Sequence, residues 1–356
     1  MKSTLSYFNW SFVFTILAVG AGYYFGGMPG LYAVLMLGLL ETSLSIDNAV
    51  VNAKQLNKMT PFWRKMFLTV GMVIAVFGMR IVFPILIVAI TTGMGMWDVS
   101  VMAMNDPAKY AATLTATHSM IAGFGGAFLM LVFLKFFLDA EKDTHWVAMI
   151  EKPLAKIGNA ESIQIVITMA ILYIVSKYIA IPAEAISFLM AGGAGIITYV
   201  LVDSLELFTG NEEEEVVTNG TAVMVAKNGL MGFLYLEVLD ASFSFDGVIG
   251  AFAVTNNLLV IALGLGVGAM FVRSMTLYLV DKGTLAEFRY LEHGAFYAIG
   301  ALATIMFIST FHHMSELVSG TIGAAFIVVA LISSIMHNRK DRAVIKPPYE
   351  PVTNEY

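Results

Sequence analysis

Residues 31–50 read LYAVLMLGLLETSLSIDNAV, and this stretch decides the class of the protein. Its first ten residues are almost entirely apolar, as in a helix that faces lipid, whereas the next eight contain two carboxylates, two serines, a threonine and an asparagine. Ionisable side chains at membrane depth are costly and mark functional sites by default. The search for a function therefore starts from Glu41 and Asp47.

The composition of the whole chain agrees with a membrane protein. Of its 356 residues 58% are hydrophobic and only 13% are charged, whereas about a quarter of the residues in a soluble domain are charged. Apolar runs of nearly twenty residues recur along the chain, and each is long enough to cross a bilayer. The sequence therefore predicts an all-α polytopic membrane protein, surrounded by lipid and without a nucleic-acid partner. Because there is no cysteine, thiol catalysis, thiolate metal ligation and disulfides are excluded.

The apolar runs predict ten spanning helices, and the basic residues predict their orientation. The predicted spans lie near residues 10–28, 31–53, 66–90, 119–138, 163–181, 185–206, 229–254, 258–280, 293–311 and 317–336. With the N-terminus inside, most lysines and arginines fall in cytoplasmic segments, whereas Lys109 falls outside. This bias follows the positive-inside rule, so both termini are predicted to be cytoplasmic.

A second polar patch repeats the first one. Residues 240–249 read DASFSFDGVI and align without gaps with 41–50, and one helix later GMVIAVFGMRI (71–81) corresponds to GLGVGAMFVRS (264–274). Three pairs of charged residues fall opposite each other: Glu41 and Asp240, Asp47 and Asp246, and Arg80 and Arg273. Five predicted helices separate equivalent positions, so equivalent helices cross in opposite directions, as in transporters built from inverted repeats.

This alignment sets the predicted organisation of the chain. The predicted parts are a first membrane repeat at 1–181, a second at 182–337 with an acidic cytoplasmic loop at about 207–222, and a polar cytoplasmic tail at 338–356.

The polar residues of each patch share helix faces. Residues four or seven apart lie on one face of a helix, so Glu41, Ser45 and Asn48 form one stripe, and Ser43 and Asp47 form a second. The corresponding stripes of the seventh helix are Glu237, Asp240 and Ser244, and Ser242 with Asp246. We expect either Asn48 or Gly247 to be the point where a helix unwinds and exposes carbonyl oxygens, which is tolerated where backbone lines a protein cavity.

Together the two patches offer only oxygen ligands, which suit a hard divalent cation such as Mn²⁺, Ca²⁺ or Mg²⁺. The predicted metal ligands are Glu41, Asp47, Asn48, Glu237, Asp240 and Asp246. The predicted supporting or proton-coupling residues are Ser43, Ser45, Ser242, Ser244, Arg80 and Arg273.

A count of charges gives this site a mechanism. Five acids against two arginines leave three negative charges unbalanced. A divalent cation and one proton would balance them, and crowded carboxylates bind protons when a metal leaves. The residues therefore favour exchange of a cation for protons. The structural alternative is that the acids only pair with Arg80 and Arg273 to hold the helices together.

At these residues the sequence resembles the TerC family of bacterial membrane proteins (tellurium-resistance protein C). The resemblance rests on Glu41 with SIDNAV (45–50), on Glu237, Asp240 and Asp246 ahead of AFAVT (251–255), and on Gly-rich helices that end in Arg80 and Arg273. It implies export of manganese or a related divalent cation across the bacterial inner membrane, with Mn²⁺ favoured over Ca²⁺ and no tightly bound cofactor. The chain departs from the family pattern at Gly247, where serine is commoner, and in its long loops at 91–117 and 139–160.

Two other functions stay open at this point. A membrane scaffold for a stress response would use the acidic loop and the polar tail rather than Asp47. A metal-dependent intramembrane enzyme is disfavoured, because the sequence shows no cysteine, no His-rich metal motif and no serine–histidine pair. We therefore expect a transporter and not an enzyme.

Overall fold

The computed structural model describes residues 4–344 except 141, 158–161, 210–212, 219–220, 227–228, 253, 313 and 315. The helices are, in chain order, α1 (Asn9–Leu44), α2 (Ile46–Asn57), α3 (Pro61–Met66), α4 (Phe83–Thr92), α5 (Met96–Asn105), α6 (Pro107–Ala116), α7 (His118–Phe137), α8 (Ala148–Ile157), α9 (Ile163–Ser176), α10 (Pro182–Thr209), α11 (Leu230–Ala251), α12 (Leu258–Lys282), α13 (Thr284–Glu287), α14 (Leu291–Ser309) and α15 (Glu316–Val344). A 3₁₀ turn (Thr4–Tyr7) precedes them, and two π-helical segments (Phe67–Gly71 and Ile74–Val82) lie between α3 and α4.

The predicted class, an all-α polytopic membrane protein, is confirmed. Within the described ranges seven helical spans are long and apolar enough to cross a membrane: Asn9–Leu44, Ile74–Thr92, His118–Phe137, Pro182–Ser204, Leu258–Lys282, Leu291–Ser309 and Gly320–Arg339. The ten predicted spans fall largely on helices. The first lies in α1 and the second continues from α1 into α2, the fifth corresponds to the short α9, and the seventh (α11) contains three acids. The number of crossings and the inverted repeat stay predictions.

The first two predicted spans form a helical hairpin. At Gly27 the backbone has φ 60° and ψ −154°, a combination that glycine adopts because it has no Cβ. A methyl group built on Gly22 would lie 2.6 Å from Val34 Cγ2 and 3.1 Å from the Gly30 carbonyl oxygen. In a straight helix Gly22 and Val34 would be about 18 Å apart. The chain therefore reverses at Gly27, and α1 has two limbs that pack side by side.

Both limbs of α1 pack against α12, and this packing places Glu41. Ser11 of the first limb donates a hydrogen bond to the Met270 carbonyl at 2.7 Å. Gly38 of the second limb lies so close to α12 that a methyl group there would be 2.8 Å from Val267 Cγ1. Glycine on each helix permits this approach, since Gly264 and Gly268 of α12 face Leu37 and Glu41.

The helix that carries the first polar patch breaks at Ser45. This residue has φ −107° and ψ 25°, and it separates the end of α1 from the start of α2. The expected positions of unwinding were wrong, because Asn48 lies inside α2 and Gly247 lies inside the continuous helix α11.

The centre of the core is α7, which packs against α10 and α14. Ala127, Phe128, Leu129 and Leu131 of α7 are fully buried. Close approach again depends on glycine, because a methyl group on Gly126 would lie 2.6 Å from Phe307 of α14. A rigid α7 and α14 therefore support one side of the helices that carry the polar patches.

Two predicted peripheral segments contain regular structure. The predicted acidic loop includes the end of α10 and β1 (Glu213–Thr218), which pairs antiparallel with β2 (Thr221–Ala226). The predicted polar tail begins as helix, because α15 continues to Val344. Residues 345–356 of that tail lie outside the described part of the chain.

Candidate functional site

The two polar patches meet where α2 crosses α11. Asn52 Nδ2 of α2 donates to Asp240 Oδ1 of α11 at 3.3 Å. A methyl group on Gly247 would lie 3.1 Å from Glu41 Oε2, and one on Gly232 would lie 3.1 Å from Gln55 Nε2. Along these contacts the residue numbers rise from 41 to 55 in the first segment and fall from 247 to 232 in the facing segment. The two segments therefore run antiparallel.

The first cavity at this crossing, here named the Asp47 cavity, is rich in oxygen. Its polar side chains are those of Glu41, Ser45, Asp47 and Asn48, and its other walls come from α11, α14 and α15. Asp47 is 6% exposed and Ser45 is 8% exposed. The walls include Gly320 of α15, which packs against Leu44, and Gly323, where a methyl group would lie 3.7 Å from Asp47 Oδ2. No lysine, arginine or histidine is among the described residues that line this cavity.

The second cavity, here named the arginine cavity, shares one wall with the first. Glu41, Ser45 and Asn48 line both cavities. The remaining polar lining residues are Asn52, Arg80, Asp240, Ser244, Arg273 and Thr276. Two acids and two arginines therefore face one another here, so the charges within the arginine cavity balance. Asn52 Oδ1 and Ser244 Oγ are buried without a hydrogen-bond partner.

Glu41 is the acid common to both cavities, and Arg80 holds it. Arg80 Nη2 donates to Glu41 Oε1 at 2.8 Å, and the two side chains are 5% and 12% exposed. Arg80 Nη1 also donates to the Ala75 carbonyl. Arg80 belongs to the π-helical segment Ile74–Val82, and π-helical turns are frequent at functional sites.

The remaining supporting residues lie in different surroundings. Arg273 lines the arginine cavity and donates from Nε to the Leu68 carbonyl at 2.8 Å. Ser242 is buried and donates to Val238 O at 2.9 Å, outside the lining of either cavity. Ser43 is exposed and donates to Leu39 O at 2.8 Å. The expected stripe of Ser43 and Asp47 is therefore wrong, since Ser43 is exposed whereas Asp47 is buried and lines the Asp47 cavity.

The expectation that all five acids share one cavity is wrong for Glu237. This side chain is 7% exposed and lies outside the lining of both cavities. Glu237 lies three positions before Asp240 on the same face of the helix, about 4.5 Å nearer the N-terminus of α11. There it packs against Gly71. Asp246 lies in α11, but its side chain is outside the described residues.

Carboxylates and histidines do not form a preassembled metal cluster here. Among the residues that the structure describes, no three His, Asp or Glu side chains converge as a metal site. The oxygens that do converge come from Glu41 and Asp47 with a hydroxyl and an amide in one cavity, and from Glu41 and Asp240 in the other. The roles assigned to these residues stay predictions.

One residue of the site was missed from the sequence. Asn52 joins α2 to α11 through Asp240 and is 2% exposed. It continues the stripe of Glu41, Ser45 and Asn48 by one further helical turn, four residues after Asn48. The helical spacing of the sequence could therefore have identified Asn52 as a residue of the site.

A second polar cluster, around Glu151 of α8, was also missed. Glu151 is fully buried and accepts hydrogen bonds from the Trp146 and Val147 amides, Lys142 Nζ and Tyr297 OH at 3.0–3.3 Å. His293 Nε2 of α14 lies 3.4 Å from its carboxylate. Burial alone would raise the pKa of Glu151, but the Val147 amide, His293 and Lys142 outweigh burial and lower it. Glu151 thus ties the segment before α8 to α14.

Comparisons with known proteins identify relatives but no activity. A family model described as "Protein of unknown function (DUF475)" matches residues 46–341. The "Uncharacterized membrane protein YceF" of Bacillus subtilis (strain 168) is 34% identical over 109 residues, which are 30% of this chain and 40% of that protein. The match thus spans less than half of that relative's length. No solved structure matches the chain.

Proposed function

Since the chain belongs to the DUF475 family, we propose its activity from the site itself: it is a secondary transporter that exchanges a hard divalent cation for protons. The observation that carries this proposal is the Asp47 cavity, where two acids line the walls and no basic side chain is among the described lining residues. Buried charges are either paired or coordinate metal ions. A divalent cation between Glu41 and Asp47 would balance both charges.

The donor atoms around the Asp47 cavity fit such a cation. Two carboxylates, the Ser45 hydroxyl and the Asn48 side-chain oxygen supply only oxygen ligands, which Mn²⁺ and Ca²⁺ accept. The helix break at Ser45 lies in the same wall. Broken helices bind ions in transporters because their backbone groups become available as ligands.

Glu41 connects cation binding to the second cavity. It lines both cavities and is held by Arg80 at 2.8 Å from the side of the arginine cavity. Gly247 and Gly268 pack closely against its side chain, and only the lack of a Cβ at these two positions makes space for it. In this proposal Arg80 neutralises Glu41 when the Asp47 cavity holds no cation, and an arriving cation competes with Arg80 for the carboxylate.

The resemblance to the TerC family supports Mn²⁺ ahead of Ca²⁺ as the cation and export as the direction. It also supports a location in the bacterial inner membrane, and the distribution of basic residues supports cytoplasmic termini. The partners in this proposal are the cation, protons and lipid, with no enzymatic activity.

Uptake of Mn²⁺ into proteoliposomes tests this proposal. The purified full chain is reconstituted with an imposed pH gradient, and Mn²⁺ uptake is measured with an internal metal-quenched dye. We expect uptake by the wild type and its loss in Asp47→Asn, which keeps the shape of the side chain but removes its charge. The matched control is Ser43→Ala, because Ser43 is exposed and lies four residues before Asp47. This variant should transport as the wild type does.

Either of two results would refute the proposal. One is that wild-type liposomes take up no Mn²⁺, Ca²⁺ or Mg²⁺, and the other is that Asp47→Asn liposomes take up as much Mn²⁺ as the wild type. The scaffold alternative predicts the second result, together with loss of cellular function when residues 338–356 are deleted.

A further inference from the structure

Glu237 is the one described acid of the two patches that lies outside both cavities. Its side chain is 93% buried, and neither carboxylate oxygen has a hydrogen-bond partner. Gly71 is its close neighbour, since a methyl group there would lie 2.6 Å from Glu237 Oε1. The same point is 3.2 Å from the Phe67 ring and 3.5 Å from the Phe233 ring. The carboxyl group therefore lies in an apolar environment.

The proposed repeat shows that Glu237 has no counterpart in the first half. In the register that pairs Glu41 with Asp240, Glu237 falls opposite Gly38, and Gly71 falls opposite Gly264. Gly38 and Gly264 are also neighbours, because a methyl group on Gly38 would lie 3.3 Å from the Gly264 carbonyl oxygen. Each of these two equivalent contacts joins a helix of one half to a helix of the other, and only the contact between Gly71 and Glu237 contains a carboxyl group.

No charged group compensates Glu237 among the described residues. On its own helix the nearest acid is Asp240, which accepts a hydrogen bond from Asn52. From α12, Arg273 is directed to the Leu68 carbonyl. In α2, Lys54 pairs with Glu292, and Asp47 lies in the other cavity. The segment Phe67–Gly71, which packs directly on Glu237, contains no ionisable residue.

These surroundings determine what the side chain can bind. An unpaired carboxylate in an apolar environment is far more costly than a neutral carboxylic acid. A metal ion needs several oxygen ligands, whereas a proton needs only one. We propose, on the basis of the exchange function above, that Glu237 carries the exchanged proton as a neutral acid, separate from the cation bound between Glu41 and Asp47.

Release of the proton from Glu237 requires only water as the acceptor. When a conformational change admits water to Glu237, its O–H bond breaks, the proton passes to water, and the electron pair stays on the carboxylate. The reverse reaction on the other side of the membrane restores the neutral acid. One carboxyl group then transfers one proton, while the cation uses other oxygens.

Infrared spectroscopy tests the protonation of Glu237 without any transport measurement. In the purified full chain at pH 7 without metal, the C=O stretch of a neutral carboxylic acid should be present and should lose intensity in Glu237→Gln. The control is Glu151→Gln, because Glu151 is equally buried but has four donors. This control should keep the full band. An unchanged band in Glu237→Gln would overturn the inference and leave the transporter proposal standing.

Proteoliposomes test whether this proton is the coupled one. We expect Glu237→Gln to keep the Mn²⁺-induced rise in melting temperature and to keep Mn²⁺/Mn²⁺ exchange, but to lose accumulation driven by a pH gradient. Glu237→Asp retains an acid and should partly restore that accumulation. Loss of the Mn²⁺-induced shift in a folded Glu237→Gln variant would assign Glu237 to the cation instead, and intact pH-driven accumulation would also overturn the inference. If the wild type moves no cation, the transport proposal and the coupling role both fail, while the infrared band still reports the protonation of Glu237.

Discussion

Replacement of Glu151 by glutamine should destabilise the protein by removing a charge on which four donors converge. The carboxylate is fully buried, and Lys142, its cationic partner at 3.2 Å, is only 10% exposed. Glutamine keeps one acceptor oxygen, but its NH₂ group would face donors that now bind the second oxygen. Breaking a buried ion pair costs about 3–5 kcal/mol. Because one acceptor remains, we expect a loss of about 3 kcal/mol at pH 7, at the lower end of that range.

The pH dependence of this loss has a defined sign. The Val147 amide, His293 and Lys142 lower the pKa of Glu151 in the folded protein, although burial opposes them. A lowered folded pKa means that the stabilisation is complete above the unfolded pKa, about 4.3, and is lost as the pH falls through the folded value. The wild type and Glu151→Gln should therefore differ fully at neutral pH and converge in acid.

Trp146 provides a local signal for this experiment. Its ring centroid lies 5.7 Å from that of Tyr297 in an edge-on arrangement, so its fluorescence reports the contact between the segment before α8 and α14. Unfolding of the full chain in lipid nanodiscs is followed by this signal, with Trp146→Phe as the background. Glu287→Gln is the control, because Glu287 is exposed and should change stability by less than about 0.5 kcal/mol. A Glu151→Gln variant as stable as this control, or a difference that does not shrink as the pH falls into the acid range, would refute the reasoning.

Two further predictions concern the helix hairpin and the ion pair of the site. Gly27→Ala should cost about 1–3 kcal/mol in the free energy of unfolding, because φ 60° with ψ −154° is strained for any residue with a Cβ. Gly20→Ala, with open space around it, should instead stabilise the protein by about 0.5–1 kcal/mol, and equal effects of the two variants would contradict the hairpin. Arg80→Gln should lower the melting temperature of the metal-free protein, since Glu41 then lacks its partner, and should enlarge the rise on adding Mn²⁺ relative to the wild type. An Mn²⁺-induced shift as small as that of the wild type would show that Arg80 and the cation do not compete for Glu41.

Part of the site was predictable from the sequence, because helical period alone fixes which residues share a face. Glu41, Ser45 and Asn48 were predicted as one stripe, and they line the same two cavities. Asn52 lies one helical turn after Asn48, so the same rule predicts that it extends this stripe. The prediction failed for Ser43 and Asp47, because Ser43 is exposed whereas Asp47 lines a cavity together with Glu41, Ser45 and Asn48.

The neighbours of each polar side chain were not predictable. Glu237 and Asp240 belong to one predicted stripe, yet one packs against Gly71 and the other faces the arginines. Glu151 gave no signal at all, since its donors come from a long loop and from α14, 146 residues further along the chain at Tyr297.

The sequence by itself determined that this protein crosses a membrane as a bundle of helices, because apolar runs of bilayer length can satisfy their backbone hydrogen bonds in lipid only as helices. It also determined which of the apolar spans contain acids. Only the tertiary structure decided that Glu41 and Asp47 face a space with no basic side chain among its described lining residues, that Arg80 reaches Glu41 from the other side, and that Glu237 lies apart. Those outcomes depend on how distant helices pack at glycines such as Gly71 and Gly268, and packing between helices is not encoded in the period of any one of them.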